Sequence, residues 1–232
     1  MTIRGFDWIA QGPPSRLRAP ARATRERPLM SEPTYTEYGT LAEYTAQSEP
    51  THFDDRTFRD EWQNEVYAEA YAHFRDRGYR RITDFGCGSG FKLVKYFPAP
   101  TTIGIEIEPS LSHVRAQYPD REWRSGEELV HSLRDAEMII TSDVIEHLPD
   151  PGALLQAFAD SPAEFFVIST PALELLAERK MSPRLGPPAN PSHIREWTTD
   201  EFHKFVSQYL RVTAQKITNI PQCTQMIFAR KK

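Results

Sequence analysis

Short apolar segments of strand length alternate with segments of helical periodicity from residue 82 onward. The strand-like segments are 82–85, 101–107, 122–124, 136–142 and 164–169, and the helix-like segments between them include 89–97 and 109–118. Apolar strands that each lead into a helix are typical of a mostly parallel sheet covered on both faces. The sequence therefore predicts an α/β fold with a doubly wound sheet.

The C-terminal part departs from that alternation. Thr198 and Glu201 have the spacing of a capping box, and the helix that they begin is followed by two strand-like segments, 210–217 and 225–229. The connection between these two segments is short, which suits an antiparallel hairpin and not a crossover. A doubly wound sheet that ends in a hairpin differs from a plain dinucleotide-binding fold.

A glycine-rich segment, DFGCGSG at residues 84–90, lies between the first strand and the helix that follows it. Glycines in this context let the backbone turn tightly and approach a ligand closely, and the helix N-terminus favours an anion. Asp84, two residues before Gly86, would repel a phosphate but suits an ammonium group. A ligand with both an ammonium and a carboxylate is an amino acid, such as the methionine end of S-adenosyl-L-methionine.

Acidic residues also follow the second and fourth strands. Glu106 ends the second strand about 20 residues after Gly86, where an acid grips ribose hydroxyls in this class of fold. The segment SDVIEHL, residues 142–148, follows the fourth strand at the carboxyl edge of the sheet, where ligands bind. We expect Asp143 and Glu146 near the reacting sulfonium, and His147 is a candidate base.

Taken together, DFGCGSG, GIEIEP and SDVIEHLPDP resemble three motifs of the class I S-adenosylmethionine-dependent methyltransferases. The resemblance covers roughly residues 80–230 and implies a seven-stranded sheet with a reversed last strand, together with in-line methyl transfer. The residues expected to bind the cofactor are Asp84, Phe85, Gly86, Cys87, Gly88, Gly90, Glu106, Ile107, Ser142 and Asp143. Residues 124–128 (RSGEE) depart from the family pattern, in which an acid near this point faces adenine, so the partner of adenine stays open.

Two further segments bear on the methyl acceptor. TFRDEWQNEVY (57–67) and GPPANPSHIREWT (186–198) resemble a subgroup of bacterial methyltransferases found among glycan-assembly genes. The second segment lies where substrate-covering insertions occur in this fold, and its prolines keep it stiff. We therefore predict O-methylation of a sugar or glycan-like small molecule. The residues expected to serve the acceptor are His193 and His147 as bases, Arg195 as an anion clamp, Trp197 as a stacking surface, and Glu146.

The sequence also predicts how the chain is divided. Residues 1–33 contain six arginines against three acids, with many prolines, and we expect a disordered leader there. Residues 34–79 are expected to form an arm followed by a helix that begins at residue 57. In this helix we expect Phe58 and Trp62 to pack in the core and not to bind a ligand. Gln63 is a candidate contact of the cofactor. Residues 80–232 are expected to form the catalytic domain, with a substrate-covering insertion at about 172–197.

Charge and composition exclude some classes of partner. The formal net charge is −4, so the 199 residues after the basic leader carry −7, which disfavours binding to nucleic-acid phosphates. No apolar run reaches membrane-spanning length, and the two cysteines fit neither a zinc site nor a disulfide scaffold. The low cysteine content suits a reducing cytoplasm, and we expect a cytoplasmic protein. We also expect no metal site, because Asp143, Glu146 and His147 lie too close together in one turn to be presumed ligands.

Several functional alternatives remain at this point. A nucleic-acid or protein methyltransferase, a nicotinamide-dependent oxidoreductase and a cofactor-binding module without catalysis are each compatible with parts of the pattern. Asp84 and the absence of G-x-G-x-x-G disfavour the oxidoreductase. His147 has an alternative too, as a structural residue that ties down its loop through backbone hydrogen bonds.

Overall fold

The structure, a computed structural model, describes residues 33–232, so nearly all of the expected leader lies outside the described part. Within these residues there are seven strands and seven α-helices. The strands are β1 (Ile82–Phe85), β2 (Thr102–Glu106), β3 (Glu122–Ser125), β4 (Met138–Ser142), β5 (Phe165–Pro171), β6 (Arg211–Asn219) and β7 (Thr224–Arg230). The helices are α1 (Asn64–Asp76), α2 (Phe91–Tyr96), α3 (Ser110–Gln117), α4 (Leu129–Ser132), α5 (Pro151–Asp160), α6 (Leu173–Glu178) and α7 (Thr199–Tyr209), with 3₁₀ turns at Ala99–Thr101 and Ile145–His147.

The strands form one sheet in the order β3-β2-β1-β4-β5-β7-β6. Strands β1 to β5 are parallel, whereas β7 runs antiparallel to both β5 and β6. The prediction of a doubly wound, seven-stranded sheet with a reversed last strand is confirmed. The strand order reverses between β1 and β4, so their carboxyl ends flank a crevice in which ligands bind in this architecture.

The core has two layers, one on each face of the sheet. Ile139 and Phe166 belong to the layer beneath α5 and α7, and Ile140 and Val167 belong to the layer beneath α1 and α2. Side chains alternate between faces along a strand, so neighbouring apolar residues of β4 and β5 feed both layers. These central strands are therefore apolar throughout, and polar groups collect at their carboxyl ends.

Two helix termini test the sequence prediction in opposite ways. The capping box of α7 is present, since Thr198 Oγ1 accepts from the Glu201 backbone N–H and the Glu201 carboxylate accepts from the Thr198 N–H at 2.8 Å. Helix α1 instead begins at Asn64 and not at residue 57, because Gln63 has a φ of 60°, which a helix cannot continue through. Residues 57–63 consequently form a loop, and Trp62 is 47% exposed instead of packing in the core.

The segment that precedes α1 lies along the loop that precedes α7. The backbone N–H groups of Gln47 and Thr51 donate to the carbonyls of Ile194 and Pro191, at 2.8 and 2.9 Å. These bonds hold residues 47–51 against residues 191–194. Among the helices of residues 33–232, none is both long and apolar enough to cross a membrane.

Candidate active site

A cavity of about 660 Å³ opens at the carboxyl ends of β1, β2, β4 and β5. Residues 50–63, which we call the covering segment, border it on one side, and residues 190–193 border it on another. Of the residues predicted for the site, the cavity is lined by Gly86, Cys87, Glu106, Ile107, Ser142, Asp143, Glu146, His147 and His193. Because β1 separates β2 from β4, Glu106 and Glu146 lie toward opposite sides of this edge, which we call the β1–β2 side and the β4–β5 side.

The glycine loop supplies bare backbone on the β1–β2 side. Gly86, Gly88 and Gly90 have φ values of 72°, 55° and 70°, a region that side chains disfavour. A Cβ at Gly86 would overlap Val144, and one at Gly88 would overlap the carboxylate of Asp55 from the covering segment. The loop therefore packs closely against neighbouring side chains at positions where any other residue would clash, and its Gly86 lines the cavity.

Glu106 projects from the end of β2 into the same side. Its Oε2 accepts from the Gly88 N–H at 2.8 Å and its Oε1 from the Ile107 N–H at 2.9 Å. Burial raises the pKa of this carboxyl to about 7, despite those two hydrogen bonds. Each carboxylate oxygen retains a lone pair, so the group is positioned to accept from the two hydroxyls of a ribose.

Asp84 lies beneath the glycine loop and does not reach the cavity. Its Oδ2 accepts from the Tyr67 hydroxyl at 2.8 Å, while its Oδ1 is buried without a partner. Burial raises its pKa to about 7. The expected direct contact with an ammonium group is therefore corrected: in β1 the side chain points toward α1, and its charge acts on the cavity from below.

Three other predicted cofactor residues also support the loop from behind. Phe85 packs edge-on against Phe158 in the core, with ring centroids 5.9 Å apart. Gly88 and Gly90 do not line the cavity, and the bare face of Gly90 lies close to Trp123. These positions shape the turn and allow close packing, and they lie behind the residues that line the cavity.

Lys92, which the sequence prediction missed, lines the cavity beyond the loop. Burial lowers the pKa of its ammonium, opposed by the negative charges of Asp84 and Asp55. The cavity therefore offers a cation, several carboxylates and bare backbone. These groups fit a ligand that has a carboxylate, an ammonium and a diol. These are the polar groups of S-adenosylmethionine, so the residues present fit that cofactor.

Asp143 occupies the middle of the edge, directly after β4, with a φ of 53°. Gln63 Nε2 donates to its Oδ2 at 2.7 Å, and Ser169 Oγ donates to its Oδ1 at 3.1 Å. Ser142 shares a 2.7 Å hydrogen bond with the same serine. Both carboxylate oxygens of Asp143 are thus held in place, one of them by Gln63 of the covering segment.

Glu146, His147 and His193 meet on the β4–β5 side. One potential ligand atom from each lies within 4.8 Å of the others. His147 Nδ1 lies 2.8 Å from the Ser192 carbonyl, and His193 Nδ1 lies 2.8 Å from Glu196 Oε1. The fold thus adds a histidine from a distant loop to the turn after β4, a neighbour that the expectation of no metal site did not consider.

Arg195 and Trp197 lie outside the cavity, which corrects their expected contact with the acceptor. The Arg195 guanidinium donates to the carbonyls of Leu148 and Pro149, at 2.9 and 3.1 Å, and lies 4.3 Å from the centre of the Tyr38 ring. Trp197 is fully buried and its Nε1 donates to the Tyr38 carbonyl at 2.7 Å. Both side chains hold the loop before α7 in place through these contacts with the protein's own residues.

Aromatic residues of the covering segment face the cavity instead. Phe53 is stacked between Phe58 and His147, with ring centroids 5.7 and 5.9 Å away. Phe58 and Trp62 also line the cavity, so the expectation that they are core residues is corrected. In the sequence, Phe58 and Trp62 continue the i+4 spacing of the buried residues of α1. That spacing therefore could not show that these two side chains line the cavity.

Comparison with known proteins agrees with the fold. A family described as a methyltransferase domain matches residues 55–209, about two thirds of the chain. A probable S-adenosylmethionine-dependent methyltransferase of Mycolicibacterium smegmatis is 33% identical over 146 residues, which are 60% of this chain and 54% of that protein. The small RNA 2'-O-methyltransferase of Arabidopsis thaliana is 24% identical over 90% of this chain and 26% of that protein. The chain thus spans about half and about a quarter of the length of these two relatives.

Among solved structures, the magnesium protoporphyrin IX methyltransferase of Synechocystis PCC 6803, crystallised with bound SAH, superposes with a TM-score of 0.56. It is 14% identical, and the match covers 73% of this chain and 83% of that one. At this identity the likeness concerns the fold alone.

The fold and the site define a nucleotide-binding α/β domain built for an adenosyl amino acid. The chain belongs to the class I S-adenosylmethionine-dependent methyltransferase family.

Proposed function

We propose that this chain transfers the methyl group of S-adenosylmethionine to a hydroxyl of a sugar or glycan-like small molecule. The observation that carries the proposal is one cavity with two chemically different sides. The β1–β2 side has bare glycine backbone and Glu106, and the β4–β5 side has two histidines beside Asp143 and Glu146. A donor held on the first side leaves the second side for an acceptor.

When bound, the donor supplies a methyl group already activated by a positive sulfur, so the protein has to position the acceptor and manage its proton. As the new C–O bond forms, the C–S bond breaks, sulfur keeps the electron pair, and the acceptor oxygen releases its proton. Alignment of the acceptor lone pair with the methyl group contributes ~7–11 kcal/mol in favourable cases. Gln63 and Ser169 fix Asp143 between the two sides, and the histidines line the acceptor side.

The histidines are the groups proposed to receive the acceptor proton. Burial and the neighbouring His193 lower the pKa of His147 to about 4, so its ring is neutral at physiological pH but accepts a proton only weakly, which makes His193 the better candidate. His193 is oriented by Glu196, which accepts from its Nδ1, an arrangement that suits a general base. Base catalysis of this kind contributes roughly 10²–10⁴ in rate.

The charges of the cavity support a small acceptor that is not rich in phosphate. Its lining contains the acids Asp55, Glu106, Asp143 and Glu146 against the cation Lys92. A polyanion that approached this opening would meet no cluster of lysine or arginine side chains, because Lys92 is the one such cation among the described residues that line the cavity. The exposed ring of Phe53 beside the histidines offers an apolar surface to the face of a sugar ring.

An RNA ribose is the second candidate acceptor, favoured by one specific observation. The relative named a small RNA 2'-O-methyltransferase matches over 90% of this chain, and the oxygen in that name is also a sugar hydroxyl. The two candidates share the reaction and differ in the partner. The acidic lining leads us to prefer the small molecule.

The test uses the full chain with methyl-labelled S-adenosylmethionine and three acceptor panels. These are neutral sugars and oligosaccharides, short RNAs with free terminal hydroxyls, and acidic or amine-containing small molecules. Mass spectrometry follows the methylated product, and a coupled assay follows S-adenosylhomocysteine (SAH), the product that S-adenosylmethionine becomes when it gives up its methyl group. The proposal predicts label in the first panel. Label in RNA alone would replace the partner, and SAH binding without transfer to any hydroxyl would contradict the proposed reaction.

A further inference from the structure

The Glu146–His147–His193 cluster contains a buried carboxylate beside two imidazoles, which general-base catalysis by the histidines does not require. We propose that it binds one divalent transition-metal ion, with His147, His193 and Glu146 as the protein ligands and open positions toward the cavity. The presence of a metal site rests on these residues alone. Its role, which is to bind the acceptor hydroxyl, rests on the proposed methyl transfer.

The hydrogen bonds of the two imidazoles are the first support. His147 Nδ1 lies 2.8 Å from the Ser192 carbonyl and His193 Nδ1 lies 2.8 Å from the Glu196 carboxylate, so each ring donates its Nδ1–H to an oxygen. In metal sites a ligating histidine donates its second nitrogen in this way, which leaves Nε2 for the ion. The rings stand at 80° to each other with centroids 4.9 Å apart.

Glu146 is the second and independent support. It is fully buried, its Oε2 accepts from Thr170 Oγ1 at 3.0 Å, and its Oε1 has no partner. A buried carboxylate oxygen without a partner is costly, and a cation is the partner that compensates it best. Asp143 lies on one side of this residue and Glu196 beyond His193, so the surroundings add negative charge and leave the compensation to a bound ion.

The backbone holds the two contributing segments together. The Ile194 N–H donates to the Glu146 carbonyl at 2.8 Å, and Arg195 donates to the carbonyls of Leu148 and Pro149. The loop that contains His193 is thus fixed to the turn that contains the other two ligands. Asn190 Nδ2, 3.0 Å from His193 Nε2, is the group that has to turn aside for the ion.

The ligand types indicate which ions fit. Two imidazoles and one carboxylate suit Mn²⁺, Co²⁺ or Zn²⁺ better than Mg²⁺ or Ca²⁺, which prefer sets of oxygen ligands. Three protein ligands leave positions for water or substrate, as in catalytic metal sites. An acceptor hydroxyl on the ion would lose its proton to solvent more easily, so His193 acts as a ligand when the ion is bound and as the proposed base only when it is not.

The test begins with the chain of residues 1–232, stripped by a chelator and titrated with Mn²⁺ and with Co²⁺ in a calorimeter. We expect one ion per chain, and at least about tenfold weaker binding in His147→Ala, His193→Ala and Glu146→Gln. His203→Ala, in an exposed histidine on α7, is the matched control and should bind like the unaltered protein. Circular dichroism of the metal-free variants separates ligand loss from misfolding. If a variant fails to fold, the visible Co²⁺ spectrum of the unaltered protein reports imidazole ligation directly.

The outcomes separate this inference from the proposed function. Unaltered protein that binds no more Mn²⁺ or Co²⁺ than the His147→Ala/His193→Ala double variant overturns the metal site, whatever the activity. Metal binding with methyl transfer that persists undiminished in chelator overturns the metal's role and leaves the histidines as bases. Failure to bind SAH in chelator contradicts the proposed function and leaves the metal site standing. At least about a tenfold loss of transfer on chelation, restored by Mn²⁺, is the expected result.

Discussion

The two sides of the cavity are built in different ways. On the β1–β2 side, the glycine loop and Glu106 come from one strand–loop–helix–strand unit, and the Glu106 carboxylate is bonded to the loop it faces. On the β4–β5 side, the groups come from the turn after β4, the loop before α7 and the covering segment, held together by Arg195 and by backbone hydrogen bonds. The first side is specified by local sequence, and the second exists only once distant segments have met.

If the two sides act separately, a change on the β4–β5 side should abolish turnover and leave cofactor binding intact. We expect His193→Ala to lower kcat by roughly 10²–10⁴, because it removes either the base or a ligand of the activating ion. The Kd for SAH should stay within about threefold, since β1 separates this residue from Glu106. Steady-state kinetics and calorimetry measure the two quantities, with His203→Ala as the control. Equal losses in both would mean that the sides are not separable.

The converse change lies on the β1–β2 side. Glu106→Gln keeps the shape and one acceptor oxygen but removes the charge that is proposed to bind the ribose. Hydrogen bonds to a charged group contribute roughly 1.5–3 kcal/mol, so we expect SAH to bind about 10- to 150-fold more weakly. Glu108→Gln, two residues away and exposed, is the matched control and should change little. An unaltered Kd for Glu106→Gln would remove the main support for the cofactor assignment.

The same contrast explains how much of the molecule could be predicted. Strands such as Met138–Ser142 and the cap of α7 depend on residues within one segment, so periodicity and spacing were enough to find them. The glycine loop and Glu106 are separated by a single helix, and their motif contains the geometry. The doubly wound sheet with its reversed last strand therefore followed from the sequence, whereas Lys92 on the β1–β2 side did not.

The β4–β5 side could not be found in this way. Arg195 and Trp197 have the chemistry of ligand-binding residues, but Tyr38 engages both of them, and no local pattern in the sequence announces that contact. Residue 63 interrupts an i+4 pattern that would otherwise extend α1 through Trp62. Side chains whose role depends on a partner far along the chain need the folded structure to be assigned.

A pH titration examines the β1–β2 side without a mutation. Burial raises the pKa of both Asp84 and Glu106 to about 7, and both must be ionised to favour a diol and an ammonium. If one proton has to leave, affinity for SAH should rise about tenfold between about pH 6 and about pH 8. For the free protein the sign is opposite. The folded state holds these protons more tightly than the unfolded state, so stability should fall as pH rises from about 4 to about 7.

Calorimetry with SAH and thermal unfolding of the free protein across that range measure the two slopes. In Glu106→Gln the slope of SAH affinity should become shallower, because one of the two titrating carboxyls is gone. A slope that is flat in the unaltered protein would show that neither carboxyl changes its charge on binding. That result would confine their role to holding the loop.

The smallest effect concerns the covering segment, which borders both sides. Phe53 stacks on His147, so we expect Phe53→Ala to raise the KM of the acceptor about two- to tenfold, the range given by roughly 0.5–1.5 kcal/mol for an aromatic contact. The Kd for SAH should not change, and Phe53→Leu should recover part of the loss. Tyr35→Ala, in a ring that packs against Lys204 instead, serves as the control. Should Phe53→Ala weaken SAH as much as the acceptor, the covering segment would belong to the cofactor, and the boundary between the two sides would have to be moved.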